Sequence, residues 1–269
     1  DMRKLARFPV KHYRNNPYYV PSFYSDEKNA TNPKKNFSLQ DCEIRCFLAY
    51  KDGRLAGRVA GIIQKRRNSL AGEKNIRFSR FECIDDQEVA DALIGAVETY
   101  GREKGMEFIH GPWGFNDQDR EGMLYEGFDC RATYATNYNY DYYPKLIEAQ
   151  GFAPESEWVE YAFKVPEKLD PRLERIAKYV EEKMGLREMA ESMPIKKLVK
   201  LYGYKVLDMI NDAYADMDGY VPLEGRERDN ILDQFGTIIN PRYISVIVDD
   251  KDDVVAFGLI IPSICTPLQ

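Results

Sequence analysis

The run from Ile76 to Gly111 constrains the fold more than any other stretch. "IRFSRFECI" (Ile76 to Ile84) alternates like a half-buried strand. It sets Phe78, Arg80, Glu82 and Ile84 on one face and Arg77, Ser79, Phe81 and Cys83 on the other. A helix is expected directly after it. Asp85 is the predicted N-cap, with Glu88 at the spacing of a capping box. Val89, Leu93, Val97 and Tyr100 share one helical face, and Gly105 follows Lys104 as a stop signal. "MEFIHG" then returns as a strand. A strand, a helix and a strand in so short a span make a crossover, so these two strands are predicted to be parallel. Elsewhere the strands come as hairpins: "CEIRCFLAYKDGRLAGRVAGII" (Cys42 to Ile63) places Asp52-Gly53 between two β-rich runs. The expected class is therefore α/β in the broad sense, α+β in arrangement. Its sheet is mixed, mainly antiparallel, twisted and flanked by helices.

The remaining elements fill in around that sheet. Lys4 to Tyr13 can begin as a helix that Pro9 limits. Asn15 to Phe23 is turn-rich, and "QKRRN" (Gln64 to Asn68) reads as a solvated hairpin tip. "YYPKLIEAQGF" (Tyr142 to Phe152) reads as a short helix ended by Gly151, and "WVEYAFKVP" (Trp158 to Pro166) as a closing strand. A charged helical linker follows. Then come a strand at "LREMAE", a long helix from Pro194 to Met217, a helix in "GRERDNILDQFGTII", and a hairpin in "RYISVIVDDKDDVVAFGLII". An offset of 200 lays the first hairpin on the last one, Lys51-Asp52 over Lys251-Asp252. This reads as an internal repeat of one supersecondary unit. The predicted partition is residues 1–166, a linker at 167–185, and a partial second unit at 186–269 with "PSICTPLQ" after its hairpin.

Composition narrows the partners. A net charge of −6 argues against a non-specific grip on nucleic acid or on an anionic membrane. No apolar run is long enough to span a bilayer and no signal-peptide pattern opens the chain, so a cytoplasmic protein is expected. The cysteines (Cys42, Cys46, Cys83, Cys130, Cys265) are irregularly spaced without a CxxC pair, so free thiols and no metal site are expected. The two histidines, His12 and His110, are far apart in sequence. His110 reads first as a structural residue and second as a substrate contact.

The order of these elements resembles the GNAT acyltransferase superfamily. The resemblance rests on "YKDGRLAGRVAGI", "IRFSRFECI", "ADALIGAVETYGREKGMEFI" and "YYPKLIEAQGF". It is greatest to a bacterial subgroup carrying "GP-G-DREGML-EGFD" after the crossover strand, here Gly111 to Asp129. It covers nearly the whole chain, as one unit and the first half of another.

The resemblance implies an acyl-CoA-dependent N-acyltransferase with a small-molecule or peptide amine as acceptor and acetyl-CoA as the expected donor. The CoA-binding positions it marks are Cys83, Ile84, Asp86, Gln87, Val89 and Ala90. Family members use glycines there, so that backbone N–H groups at a helix N-terminus can hold the pyrophosphate. "CIDDQEVADAL" instead has no glycine and places Asp85, Asp86 and Glu88 where that anion would sit. Many members carry a tyrosine general acid four residues before the glycine of Gly-Phe. Ile147 holds that position here, and Tyr143 lies one turn earlier. Tyr143 as acid and Glu82 as base acting through a water are the implied catalytic pair; packing for the tyrosine and a salt bridge for the glutamate are the alternatives. The glycine-spaced loop "HGPWGFNDQDREGMLYEGFD" would border the acceptor, with Trp113, Asn116, Asp117, Asp119, Arg120 and Tyr125 as its contacts. The alternative is a surface loop folded on itself. Against the enzyme stands a second reading, a non-catalytic binding or scaffolding protein on the same fold.

Overall fold

The computed structural model describes residues 1–217, 219–238, 240–261, 263 and 265. The Asp-Gly hairpin forms as expected. Strands β1 (Cys42–Lys51) and β2 (Arg54–Gln64) pair antiparallel from Cys42↔Gln64 to Lys51↔Arg54. Asp52 and Gly53 take φ of 49° and 74° in the turn. That left-handed pair matches the right-handed strand twist and costs glycine nothing.

Strand β3 (Asn75–Cys83) runs antiparallel to β2, and β4 (Phe108–His110) runs parallel to β3, giving the order β1-β2-β3-β4. The crossover is thus as predicted. The face assignment in β3 is not. The register shifts opposite Arg58 and Ala60, where Arg80 takes φ 52°. This is a β-bulge, and the extra residue turns the rest of the strand over. Phe78, Phe81 and Cys83 consequently enter the same core as Ile76.

Helix α4 (Gln87–Glu103) covers one face of this sheet. Its Leu93, Val97 and Tyr100 lie against Gly57 and Gly61 of β2. A Cβ on Gly57 would stand 2.7 Å from Leu93 and 2.9 Å from the Glu82 carbonyl. The glycines are what let a helix with those side chains approach. Burying each large apolar side chain contributes about 1.5–3 kcal/mol.

The intervening β2 residues face the other way. Arg58 reaches the Leu5 carbonyl at 2.9 Å in α1 (Met2–His12) and the Glu27 carboxylate in α2 (Tyr24–Asn29). Ile62 packs with Ala30, Cys42 and Phe115. Helix α1 runs straight through Pro9, contrary to expectation. Proline in a helix interior costs about 3 kcal/mol, and burial of Leu5, Ala6, Phe8 and Pro9 outweighs it. "QKRRN" is not a hairpin tip either. It opens helix α3 (Lys65–Ala71), whose N-cap Gln64 accepts from the Arg66 N–H at 3.0 Å. Helix α5 (Tyr143–Glu148) ends before Gly151, which has φ 90°.

By contact the chain divides into two compact units. The first holds residues 1–153 with 219–221, 263 and 265; the second holds 154–217 and 222–261. The second contains α6 (Pro171–Met184), β5 (Arg187–Glu188), α7 (Ile195–Tyr214), α8 (Gly225–Ile238), β6 (Ile244–Val248) and β7 (Val254–Leu259). Its antiparallel sheet has the order β5-β6-β7, over a core of Ala190, Leu198, Tyr202, Val246 and Val248. "LREMAE" supplies only the two residues of β5. The expected closing strand at 158–166 is absent. That run has no regular structure and no ladder partner among the described residues, and Tyr161 is 86% exposed. It has strand propensity on both faces but no neighbouring strand to pair with. Ile239, the last residue of the expected α8 segment, and most of "PSICTPLQ" lie outside the described residues.

Candidate functional site

Strands β3 and β4 stay paired only from Asn75↔Phe108 to Arg77↔His110. Beyond that the chain leaves β3. Gly111, at φ 144°, passes so close to Phe78 that a Cβ would stand 2.3 Å from its carbonyl oxygen, and Trp113 N–H bonds the same oxygen at 2.9 Å. Past this point β3 has no strand partner on that edge among the described residues. A cavity of about 30 Å³ lies there, lined by Arg80, Phe81, Glu82, Pro112, Met123 and Tyr143 among others. Both expected catalytic residues, Glu82 and Tyr143, border it. Its volume suits about one water or one ammonium group.

Two kinds of chemistry converge on the end of β3. The first is neutral. The Tyr143 hydroxyl accepts from the Cys83 N–H at 3.1 Å and from the Tyr13 hydroxyl at 3.0 Å. The Cys83 carbonyl and His12 Nε2 lie 3.2 Å from it, and 2.8 and 3.1 Å from the Tyr142 hydroxyl. Two hydroxyl protons therefore serve two acceptors. Burial holds His12 down at about 4, so its imidazole is neutral and can accept. Burial likewise pushes Tyr13 and Tyr143 well above the ordinary phenol range.

The second is ionic. Arg58 is held between Glu27 and Glu82, meeting Glu82 through Nε and, at 3.1 Å, through Nη2. Arg80 meets Glu27 at 3.2 Å. The two carboxylates part company. Burial would raise both, but Glu27 faces two guanidiniums that outweigh burial and hold it at about 2. Glu82 bonds one guanidinium, burial prevails, and its carboxyl sits above the usual range. Glutamates driven apart in this way divide the roles of fixed counter-ion and proton carrier. Asp119 is also raised by burial and accepts from the Phe115 N–H at 2.6 Å.

The start of α4 is closed. Its N-cap is Asp86, one residue later than predicted, and Asp86 accepts from the Val89 N–H at 3.3 Å. The predicted capping box does not form, because Glu88 bonds Lys51 at 2.9 Å and Lys51 also bonds Asp86. The other expected CoA positions are placed as follows. The Cys83 N–H and carbonyl are bonded by the tyrosines. Ile84 N–H bonds the Ala56 carbonyl at 2.9 Å. Gln87 bonds Asp91 at 2.7 Å and the Leu146 carbonyl at 3.0 Å. Val89 and Ala90 are in the core. As they stand, these residues do not fit a pyrophosphate: an arriving anion would meet a carboxylate already using the helix N–H groups.

The loop residues expected at the acceptor do not line the cavity. Trp113 packs on His110 (4.7 Å between ring centres) and under Arg77 (4.9 Å). Asn116 accepts from the Gln118 N–H at 2.9 Å, and Asp117 from the Val221 N–H at 3.1 Å. Arg120 forks onto the carbonyls of Tyr134, Val20 and Pro21 at 2.8, 2.9 and 3.3 Å. The Tyr125 hydroxyl bonds Glu148 at 2.8 Å. His12, Tyr13, Glu27 and Arg58 received no role from the sequence. Arg58 had a signal, a lone cation inside the apolar run "AGRVAGII", because a buried arginine requires acidic partners.

No family model matches the chain. It is 24% identical over 245 residues to Protein YghO of Escherichia coli K12, covering 89% of this chain and 60% of the relative. It is also 24% identical over 248 residues to the bacterial ceramide synthase of Caulobacter vibrioides NA1000, covering 91% and 63%. The chain thus spans under two thirds of the length of these relatives. An aminoglycoside acetyltransferase from an uncultured soil metagenomic sample, crystallised with sisomicin, aligns over 62% of this chain and 91% of its own at 13% identity and TM-score 0.35. A probable acetyltransferase aligns over 62% and 93% at 17% and 0.33. Likenesses at those scores are too loose to assign an activity. The first unit holds a mixed sheet flanked by helices, with the hairpin and the parallel crossover that the sequence resemblance implies.

Proposed function

We propose that the protein is an N-acyltransferase of GNAT type, and that the cavity at the end of β3 is its amine-holding side. The observation that carries this reading is the placing of Glu82 on the cavity wall, held there by Arg58 through Nε and Nη2. A carboxyl raised by burial and half-neutralised by Arg58 takes a proton from an ammonium group more readily than an exposed one. Freed of that proton, the amine nitrogen can attack the carbon of an activated acyl donor: the C–N bond forms as the bond to the donor's leaving group breaks, and that group departs with the proton. Tyr143, bonded to the Cys83 backbone and to neutral His12, lines the cavity without adding charge. The relative's name supports an acceptor class, since ceramide is an N-acylated long-chain amino alcohol. A cavity of about 30 Å³ takes only the amine head of such a molecule. No step is assigned to acetyl-CoA at α4, where the residues do not fit it.

That misfit favours a second reading, in which the first unit binds without catalysing. Calorimetric titration of acetyl-CoA, a long-chain acyl-CoA and CoA into the protein separates the two, with Asp86→Gly alongside. Amide product should be sought by mass spectrometry with a panel of long-chain and short amines. Product that is lost in Glu82→Gln but kept in Asp86→Gly supports the transferase reading. Absence of product with every amine, together with binding gained only in Asp86→Gly, sinks it for this chain and leaves the binding reading.

A further inference from the structure

The exposed face of α1 concentrates positive charge on an otherwise acidic chain. Residues 1–16 hold Arg3, Lys4, Arg7, Lys11 and Arg14 against one acid, Asp1, while the whole chain carries −6. All five cations are exposed, because the opposite face of α1 is the one that buries Leu5, Ala6 and Phe8. Only Lys4 has a carboxylate partner among the described residues, Asp1 at 3.3 Å. Arg3, Lys4, Arg7 and Lys11 also rim a depression of about 150 Å³ whose other lining is Phe8 and Leu55. Val10, between Arg7 and Lys11 on the helix, is 51% exposed, and Tyr50, bonded by Lys4 at 3.0 Å, is equally so.

We infer that this face docks the protein on an anionic phospholipid surface, with headgroup phosphates at the cationic rim and Val10 and Tyr50 at the acyl boundary. Charge complementarity selects a polyanionic partner. The apolar floor and the two exposed apolar side chains select a lipid over a nucleic acid, whose backbone would be followed by a polar groove. The net charge of the chain averages over this patch and hides it. Each cation near such a surface strengthens attachment roughly fivefold, and salt screens the effect within a Debye length. The inference stands apart from the proposed chemistry.

Vesicle sedimentation tests it. The protein should pellet with phosphatidylcholine vesicles containing phosphatidylglycerol, and not with phosphatidylcholine alone. Raising the salt from about 0.05 M to about 0.5 M should release it. Arg3→Glu/Arg7→Glu/Lys11→Glu should weaken attachment by at least about a hundredfold. Lys34→Glu/Lys35→Glu/Lys145→Glu, with the same change in net charge on other elements, should bind like wild type. Circular dichroism checks that both variants are folded. Four outcomes overturn the inference: no preference for anionic vesicles, equal loss in both variants, displacement by millimolar inorganic phosphate, or tighter binding to duplex DNA than to vesicles.

Discussion

The two hairpins each bend at a left-handed aspartate and differ in almost everything else. Asp52 and Asp252 both take left-handed backbone, at φ 49° and 68°, at the tip of an antiparallel pair with a charged turn. Yet β2 is buried from Ala56 to Gln64, whereas β7 is exposed along most of its length, with Val255 at 46% and Phe257 at 37%. A hairpin turn fixes register locally, but burial is conferred by what packs on the faces. In the first unit α4 covers one face and α1 and α2 the other. In the second, β7 is an edge strand with apolar side chains in the open. A two-stranded hairpin is therefore a buried centre in one setting and an exposed edge in the other.

Four substitutions break or sharpen that contrast. Arg58→Leu should do the most. It leaves Glu27 and Glu82 as buried carboxylates without Arg58, and should cost about 3–5 kcal/mol in chemical denaturation. A loss below about 1 kcal/mol would show that protons or water replace the guanidinium. Gly57→Val comes next, at about 1–3 kcal/mol, because its Cβ has no room between Leu93 and the Glu82 carbonyl. Glu121→Gln tests a half-buried group in the loop after β4 of the first unit. Burial and then Asp117 raise the Glu121 carboxyl from 4.5 to about 7. A raised pKa means that the folded state binds the proton more tightly. Its stabilising share is full below about 4.5 and is lost as pH rises through about 7. The variant should therefore flatten the melting temperature between pH 5 and pH 8, by about 1 kcal/mol after allowance for solvent screening. Smallest of all, Gly258→Val in β7 should stay within about 0.5 kcal/mol, since nothing lies within 4 Å of its would-be Cβ. A larger loss there would mean that β7 is covered in solution.

Legibility follows the same divide. The crossover and both hairpins could be read because alternation, helical periodicity and charged turns are local signals. The bulge at Arg80 could not, since it exists only in the register between β2 and β3. Pro9 misled for a related reason: its local penalty is visible, but the packing that repays it is not. At the site, Glu82 and Tyr143 were reached through resemblance, and the structure brings both to one cavity. His12 was missed because it arrives from more than a hundred residues away. The acidic loop looked like a recognition surface because composition shows carboxylates and not the backbone N–H groups that occupy them, as at Asp117 and Asp119.

Lys51 sits on the turn of the first hairpin and holds Asp86 and Glu88 at the mouth of α4. Nothing covalent or deeply buried secures that closure. It behaves as an ionic latch, weakened by salt and by any polyanion that competes for the lysine. Salt that loosens the lysine leaves Asp86 on the Val89 N–H, so Lys51 sets the charge at the mouth of α4 while the aspartate keeps its shape.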